Sequence, residues 1–236
     1  MITAPFIVRQ GLALALITIL LSGCSSHNVY MNDATRSDLR NAPSIYMVHY
    51  VTPEPRVNPP KVHVAPYANV SLHDTPTGAE IQDHLNSFDP TNEVAQQLAT
   101  TLKTQAGLQN IKPVSTASPR PVISDPKAYQ NQFKDGYVME VWVDNWAFNY
   151  IPMDWKTYGI TLSAHTRLSH LEDGRIVWNT GHCFYGGSGK NYQDRIVLAD
   201  LKSSDKKKTQ TKIRQTIDQI ADVCARELLQ SYSRNK

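Results

Sequence analysis

The strongest constraint on the fold lies in residues 136–185, where apolar and polar side chains alternate. Apolar residues occupy the odd positions from Tyr137 to Val143, and polar or mixed residues occupy the even positions. A period of two predicts a β-strand, and two further strands are expected at about 158–171 and 175–185. Short connections between consecutive strands predict a three-strand antiparallel meander with one apolar side.

Two amphipathic helices are predicted to cover that apolar side. The first, at about 90–106, begins at Asp89-Pro90, where the carboxylate can accept a backbone amide and the proline has no amide to satisfy. The second, at about 207–231, carries apolar residues at helical spacing on one side, namely Ile213, Ile217, Ile220, Cys224 and Leu228. The pattern predicts an α+β fold with an antiparallel-rich sheet, the meander at about 136–185, packed by these helices.

The amino-terminal stretch predicts export and lipid attachment. Residues 11–21 form an uncharged apolar run of about 11 residues, which suits a signal sequence and is too short to span a membrane. Leu21-Ser22-Gly23-Cys24 closes this run and resembles the lipobox of bacterial lipoproteins. An ordinary secretory signal or a short signal-anchor helix is the alternative interpretation.

The resemblance implies cleavage before Cys24, with diacylglycerol on its sulfur and an acyl chain, such as palmitate, on its new amine. It also implies outer-membrane placement facing the periplasm, because Ser25 stands where an aspartate tends to retain lipoproteins at the inner membrane. The membrane would then be the first partner of the chain, reached through lipidated Cys24. Several acyl chains hold a protein at a membrane stably, whereas one binds marginally.

We therefore expect three parts: a signal peptide at 1–23, a lipidated tether at 24–42, and a single α/β periplasmic domain at 43–236. Cleavage of 23 residues leaves 213 of the 236, which suits one domain of moderate size. The formal charge falls from +3 to +2, because Arg9 is the one charged side chain removed. A balance this even argues against a nucleic-acid partner, which would require a concentrated basic surface.

Cys183 and Cys224 remain once Cys24 carries lipid. An even pair in an oxidising compartment predicts a disulfide, and two separate buried thiols are the alternative. In the chain-entropy model, a bridge closing a loop of about 40 residues contributes roughly 3–4 kcal/mol.

Motifs for catalysis or cofactor binding are weak. Residues 186–190 are rich in glycine but match neither a phosphate-binding loop nor a nucleophile elbow, and they predict a flexible loop. The eight histidines do not show the close spacing typical of zinc sites. Glu140 and Asp144 share one side of a strand, and pairing with Arg167 is favoured over acid–base catalysis. No cofactor, no metal site and no enzymatic activity are predicted.

An aromatic concentration surrounds the first turn of the meander. Two interpretations are open: core packing, or a surface for a partner or ligand, because aromatic side chains exposed together mark interfaces. The candidate surface residues are Trp146, Phe148, Tyr150, Trp155 and Tyr158.

The predicted order of elements over about 60–232 is a strand, a helix, a strand, the three-strand meander and a long final helix. With the segment at 62–69 (Val-His-Val-Ala-Pro-Tyr-Ala-Asn) at its start and the hairpin at 173–178 (Asp-Gly-Arg-Ile-Val-Trp), this order resembles envelope lipoproteins with a TolB amino-terminal-like or curli-secretion-like α/β domain, and ABC-transport auxiliary lipoproteins. The resemblance implies a non-enzymatic outer-membrane lipoprotein, an accessory or assembly component that binds an envelope protein. The alternative function is a periplasmic binding module for a small apolar or lipidic ligand.

Overall fold

A computed structural model describes residues 29–58, 76–85, 88–114, 126–151, 154–186, 195–197, 199 and 206–233. A 3₁₀ segment, Pro126–Tyr129, precedes the longest strands. The other elements, in chain order, are α1 (Asp33–Asn41), β1 (Ile45–His49), β2 (Arg56–Asn58), α2 (Gly78–Leu85), α3 (Pro90–Gln105), β3 (Ile111–Pro113), β4 (Tyr137–Ile151), β5 (Asp154–His170), β6 (Ile176–Tyr185), β7 (Arg195–Val197) and α4 (Lys206–Ser233).

The sheet is mixed, with the described strands in the order β3-β1-β4-β5-β6. The antiparallel meander β4–β5–β6 is confirmed. However, β1 pairs in parallel with both β3 and β4, so the expectation of an antiparallel-rich sheet is corrected to a mixed α+β arrangement. The reason is the crossover: parallel neighbours need a long connection, and α3 lies between β1 and β3 in the chain.

The long strand β4 directs one side into the core as its alternation predicts. Tyr137, Met139, Val141 and Val143 are all buried. The pairing of β4 with β5 then shifts between Val143 and Asn145, where a bulge places one extra residue. Because of this extra residue, core-facing positions continue at Trp146 and Phe148 rather than at odd numbers.

The helices α3 and α4 match their predicted positions. The Asp89 side chain accepts the backbone amides of Thr91 and Asn92 at the start of α3. At its end, Gly107 has a φ of +74°, and the amide of buried Leu108 returns to the carbonyl of Leu102. In α4, the five apolar residues predicted to face inward are fully buried against the sheet.

A disulfide joins Cys183 of β6 to Cys224 of α4, with 5.2 Å between their Cα atoms. Both residues are fully buried. The bond fixes the last helix to the third strand of the meander, which is the pairing expected from the sequence.

The predicted tether is wrong over most of its length. Residues 33–41 form α1, which Asn32 caps by accepting the amide of Thr35. Met31 and Leu39 are 2% and 1% exposed and belong to the main core. Residues 29–42 are therefore part of the folded domain, whereas 24–28 lie outside the described residues.

Several predicted features also lie outside the described part of the chain. These are Cys24 with the predicted signal peptide, the segment at 62–69 that is part of the family resemblance, and residues 187–190 of the glycine-rich loop.

Candidate functional site

The side of the meander opposite α3 and α4 carries a continuous row of polar and aromatic side chains, which we call the polar face. Cross-strand pairing brings these residues together from β4, β5 and β6: Trp142 lies beside His165, which lies beside His182, and Glu140 lies beside Arg167. The polar face consists of Glu140, Trp142, Asp144, Ser163, His165, Arg167, His182 and Phe184.

One end of the polar face is a buried ion pair. Glu140 is 1% exposed, and the Nε of Arg167 donates to its Oε2 at 2.6 Å. The Tyr50 hydroxyl donates to Oε1 of Glu140, and the Tyr129 hydroxyl lies 2.5 Å from that of Tyr50. Burial, together with the Glu140 carboxylate, raises the pKa of both tyrosines. The pKa of Tyr129 reaches about 12, although its hydrogen bond with Tyr50 lowers it.

This network ties three parts of the chain together. Tyr50 follows β1, Tyr129 ends the 3₁₀ segment, and the ion pair joins β4 to β5. A small apolar cluster of Val48, Val138 and Leu171 also contacts Tyr129 on this side of the sheet. The predicted pairing of Glu140 with Arg167 is confirmed, and its burial leaves Glu140 without the access that acid–base catalysis requires.

The other end of the polar face is open. Nε2 of His165 lies 2.8 Å from Oδ2 of Asp144. Burial alone would raise the pKa of Asp144, but hydrogen bonds from Ser163 and His165 and the charge of His165 outweigh burial and hold this pKa below its ordinary value.

The Ser163, His165 and Asp144 side chains do not form a nucleophilic triad. The Ser163 Oγ lies 3.4 Å from Nε2 of His165, and Asp144 contacts the same nitrogen. A triad needs the acid and the nucleophile on opposite ring nitrogens, so that one orients the imidazole while the other is deprotonated. Among the described residues, no group of three His, Cys, Asp or Glu side chains is arranged to hold a metal ion.

Aromatic rings stack at the open end. The His165 ring lies 5.4 Å from that of Trp142 at an interplanar angle of 13°, and 4.6 Å from that of His182. Phe184 extends beyond them and is 55% exposed. The arrangement offers an aromatic surface edged by hydrogen-bonding groups, on the outer side of three strands.

The predicted aromatic surface is corrected. Trp146, Phe148 and Tyr158 are 1%, 0% and 2% exposed and belong to the main core, because the bulge in β4 keeps the first two on the helix-covered side. Tyr150 is half-buried against the same core. The side chain of Trp155 is not among those that the structure describes. The core-packing interpretation therefore holds for three of the five residues.

A groove of about 510 Å³ lies elsewhere, between α3 and the strands β1 and β3. Its lining combines Met47, Ala95 and Ala99 with the polar side chains of His49 and Lys103. Of the four predicted surface aromatics whose side chains are described, Trp146, Phe148, Tyr150 and Tyr158, none lines this groove.

Comparison with known proteins gives likenesses only at the level of solved structures. No family model matches the chain, and no curated protein matches it. A DUF330-family protein from Xanthomonas campestris has a TM-score of 0.33 at 13% identity, covering 83% of this chain and 86% of that one. Lipoprotein GNA1162 from Neisseria meningitidis has a TM-score of 0.33 at 14% identity, covering 76% and 98%.

A hypothetical protein from Chlamydia trachomatis has a TM-score of 0.32 at 10% identity and covers 79% of this chain and 98% of that one. Scores and identities this low assign neither a family nor a function. In the described part of the chain, no helix has the length and apolar character needed to cross a membrane.

Proposed function

We propose that this protein is a non-enzymatic lipoprotein of the outer membrane, anchored through Cys24 and facing the periplasm, which binds an envelope protein as an accessory or assembly component. Leu21-Ser22-Gly23-Cys24 supports the anchor. The Cys183–Cys224 disulfide supports an oxidising compartment.

The proposal that this protein binds a partner rests on the open end of the polar face. Phe184, exposed beside His182 and the stacked Trp142 and His165, presents aromatic area with hydrogen-bonding groups at its edge. Aromatic residues are enriched in protein interfaces. Small ligands bind in concave sites, so the outer side of a sheet suits a protein surface better.

The alternative, a module for an apolar or lipidic ligand, relied on the aromatic cluster. That cluster lies largely in the core, so we prefer the protein partner. Lipid that co-purifies with the chain in place of a protein would restore the alternative.

We expect Cys24→Ala to abolish acylation. Cells grown with labelled palmitate should incorporate label into the natural chain and none into the variant, which should move from the membrane to the soluble fraction, because a chain without acyl groups has no anchor. Ser25→Ala is the matched control and should keep the label. Palmitate incorporation by Cys24→Ala would contradict the anchor.

We expect Phe184→Ala to weaken capture of the envelope partner in cells crosslinked with the anchor intact. Removal of an interface aromatic costs about 2 kcal/mol, a factor of about 30 in Kd. Val51→Ala is the matched control, because Val51 is 57% exposed but lies outside the polar face. Equal capture by both variants would contradict this binding surface.

A further inference from the structure

We infer that one defined end of the domain faces the bilayer. This end, which we call the α1 end, consists of α1, the residues of β6 near Asn179, and the carboxyl end of α4. The inference rests on the proposed lipid at Cys24. It goes further by stating which surface of the domain meets the lipid and which surfaces point away from it.

The first support is the attachment of Val29 to β6. The backbone amide of Val29 donates to the side-chain oxygen of Asn179 at 2.6 Å, and the amide of Asn179 donates to the carbonyl of Val29 at 3.1 Å. Pairing of β5 with β6 shifts at this point, from Thr166 opposite Gly181 to Leu168 opposite Trp178. The extra residue in β6 leaves the Asn179 backbone available to the amino-terminal segment.

The second support is the attachment of the residues that follow Val29. The Arg36 side chain donates to the carbonyl of Tyr232 in the last turn of α4 and to the carbonyl of Met31. Met31 and Leu39 are buried in the main core. The segment from Val29 through α1 is thus held against the carboxyl end of α4.

The third support is chain length. Val29 is five positions after Cys24 in the sequence, and an extended chain spans at most about 18 Å over five such steps. Acyl chains on Cys24 therefore hold the bilayer surface within about 18 Å of the Val29–Asn179 contact, whatever path the chain takes.

The opposite end of the domain is far from this point. Helix α4 runs antiparallel to β6, because Tyr232 contacts Trp178 while Cys224 is bonded to Cys183. Its 28 residues span about 42 Å, so its amino end lies about that far from the α1 end. The lysines at 206–208 are therefore at the end of the helix away from the anchor.

The charges on α4 argue against an orientation in which this helix lies flat on the membrane surface. The exposed residues of this helix carry charges of both signs, with Arg214, Asp218, Asp222, Arg226 and Glu227 all at the surface. Asp222 is already paired with Arg226. A helix that lies in a membrane interface needs an apolar side open to lipid, whereas the apolar side of α4 is buried against the sheet.

The orientation places the open end of the polar face above the membrane. Phe184 lies five residues beyond Asn179 along β6, which is about 17 Å further from the anchor. A partner held in the same membrane, or one reaching it from the periplasm, would approach Phe184 at that height.

Energy transfer from the lipidated full chain to labelled lipid tests the orientation. Single cysteines replace Ala34 in α1 and Lys207 in α4, both exposed helical positions. Each variant carries a donor dye, and vesicles of phosphatidylethanolamine and phosphatidylglycerol carry a headgroup acceptor. Acylated Cys24 and the bonded Cys183 and Cys224 do not react with the dye.

We expect clearly stronger transfer from Ala34→Cys than from Lys207→Cys. A flexible insert of about 20 residues after Ser26 should reduce this difference, because the tether then no longer limits the domain. Equal transfer from the two positions, or stronger transfer from Lys207→Cys, would overturn the orientation. Intact mass separates the two proposals: a chain without acyl groups on Cys24 refutes the anchor and the orientation together, whereas an acylated chain with equal transfer refutes the orientation alone.

Discussion

Replacement of Glu140 by glutamine is expected to destabilise the fold by about 3–5 kcal/mol, because it leaves a buried guanidinium without its partner. The side chain of Arg167 is 12% exposed, and that of Glu140 is 1% exposed. The substitution also removes the charged acceptor of the Tyr50 hydroxyl. Urea unfolding of the disulfide-bonded domain, followed by tryptophan fluorescence, measures the change in the free energy of unfolding.

The double variant Glu140→Gln with Arg167→Met is the control for this pair. Removal of both charges should recover much of the lost stability, because no unpaired charge then remains buried. A loss below about 1 kcal/mol in the single variant, typical of surface pairs, would show that the ion pair is solvated rather than buried.

The second large effect is expected at Gly136, which precedes β4. Its φ is +94°, and a Cβ atom there would lie 2.1 Å from the carbonyl oxygen of Ser44. That carbonyl accepts the amide of Tyr137, and the carbonyl of Gly136 accepts the amide of Leu171. Gly136→Ala should cost more than about 4 kcal/mol, since the backbone of two strands must move to admit a methyl group.

Gly107→Ala is the matched control, measured by the same urea unfolding. Gly107 also has a positive φ, +74°, but a Cβ atom there would meet nothing within 4 Å. Its replacement should cost only the conformational penalty of about 1–2 kcal/mol. Equal losses in the two variants would show that the contact with Ser44 contributes nothing beyond backbone strain.

Local patterns predicted the elements that bury one regular side. The alternation from Tyr137 to Val143 marks the core side of β4, and the helical spacing from Ile213 to Leu228 marks that of α4. The ends of α3 were also predictable, since Asp89 and Gly107 act on backbone groups within a few residues. These features depend on neighbours in the chain, which a sequence displays directly.

Features that depend on distant partners were not predictable. Helix α1 has a polar sequence in which Leu39 is the one buried residue, and it is held by a contact of Arg36 with Tyr232 far along the chain. The parallel pairing of β1 depends on the path of the connecting helix. The alternation of apolar and polar residues within a strand does not predict that path. The short strands β2 and β7 have three residues each. Strand β2 pairs with residues 147–149 of β4, and β7 pairs with residues 157–159 of β5.

The candidate site shows the same division. Alternation placed Glu140 and Asp144 on one side of β4, but the alignment of His165 with both Trp142 and His182 depends on strand register. The bulge after Val143 likewise returned Trp146 and Phe148 to the core. Strand alternation in 163–167 and 182–184 was the available signal for the polar face, but it could not supply the register between strands.

The disulfide between β6 and α4 also changes the effect of proteolytic cleavage of the chain. Cys183 and Cys224 enclose all residues from 184 to 223 in a closed ring of main chain and side chains. A protease that cleaves one peptide bond inside this ring opens the ring but releases neither piece, because the sulfur atoms still connect them. The carboxyl-terminal piece therefore remains covalently attached after a single nick, and its release requires reduction of the disulfide as well as cleavage.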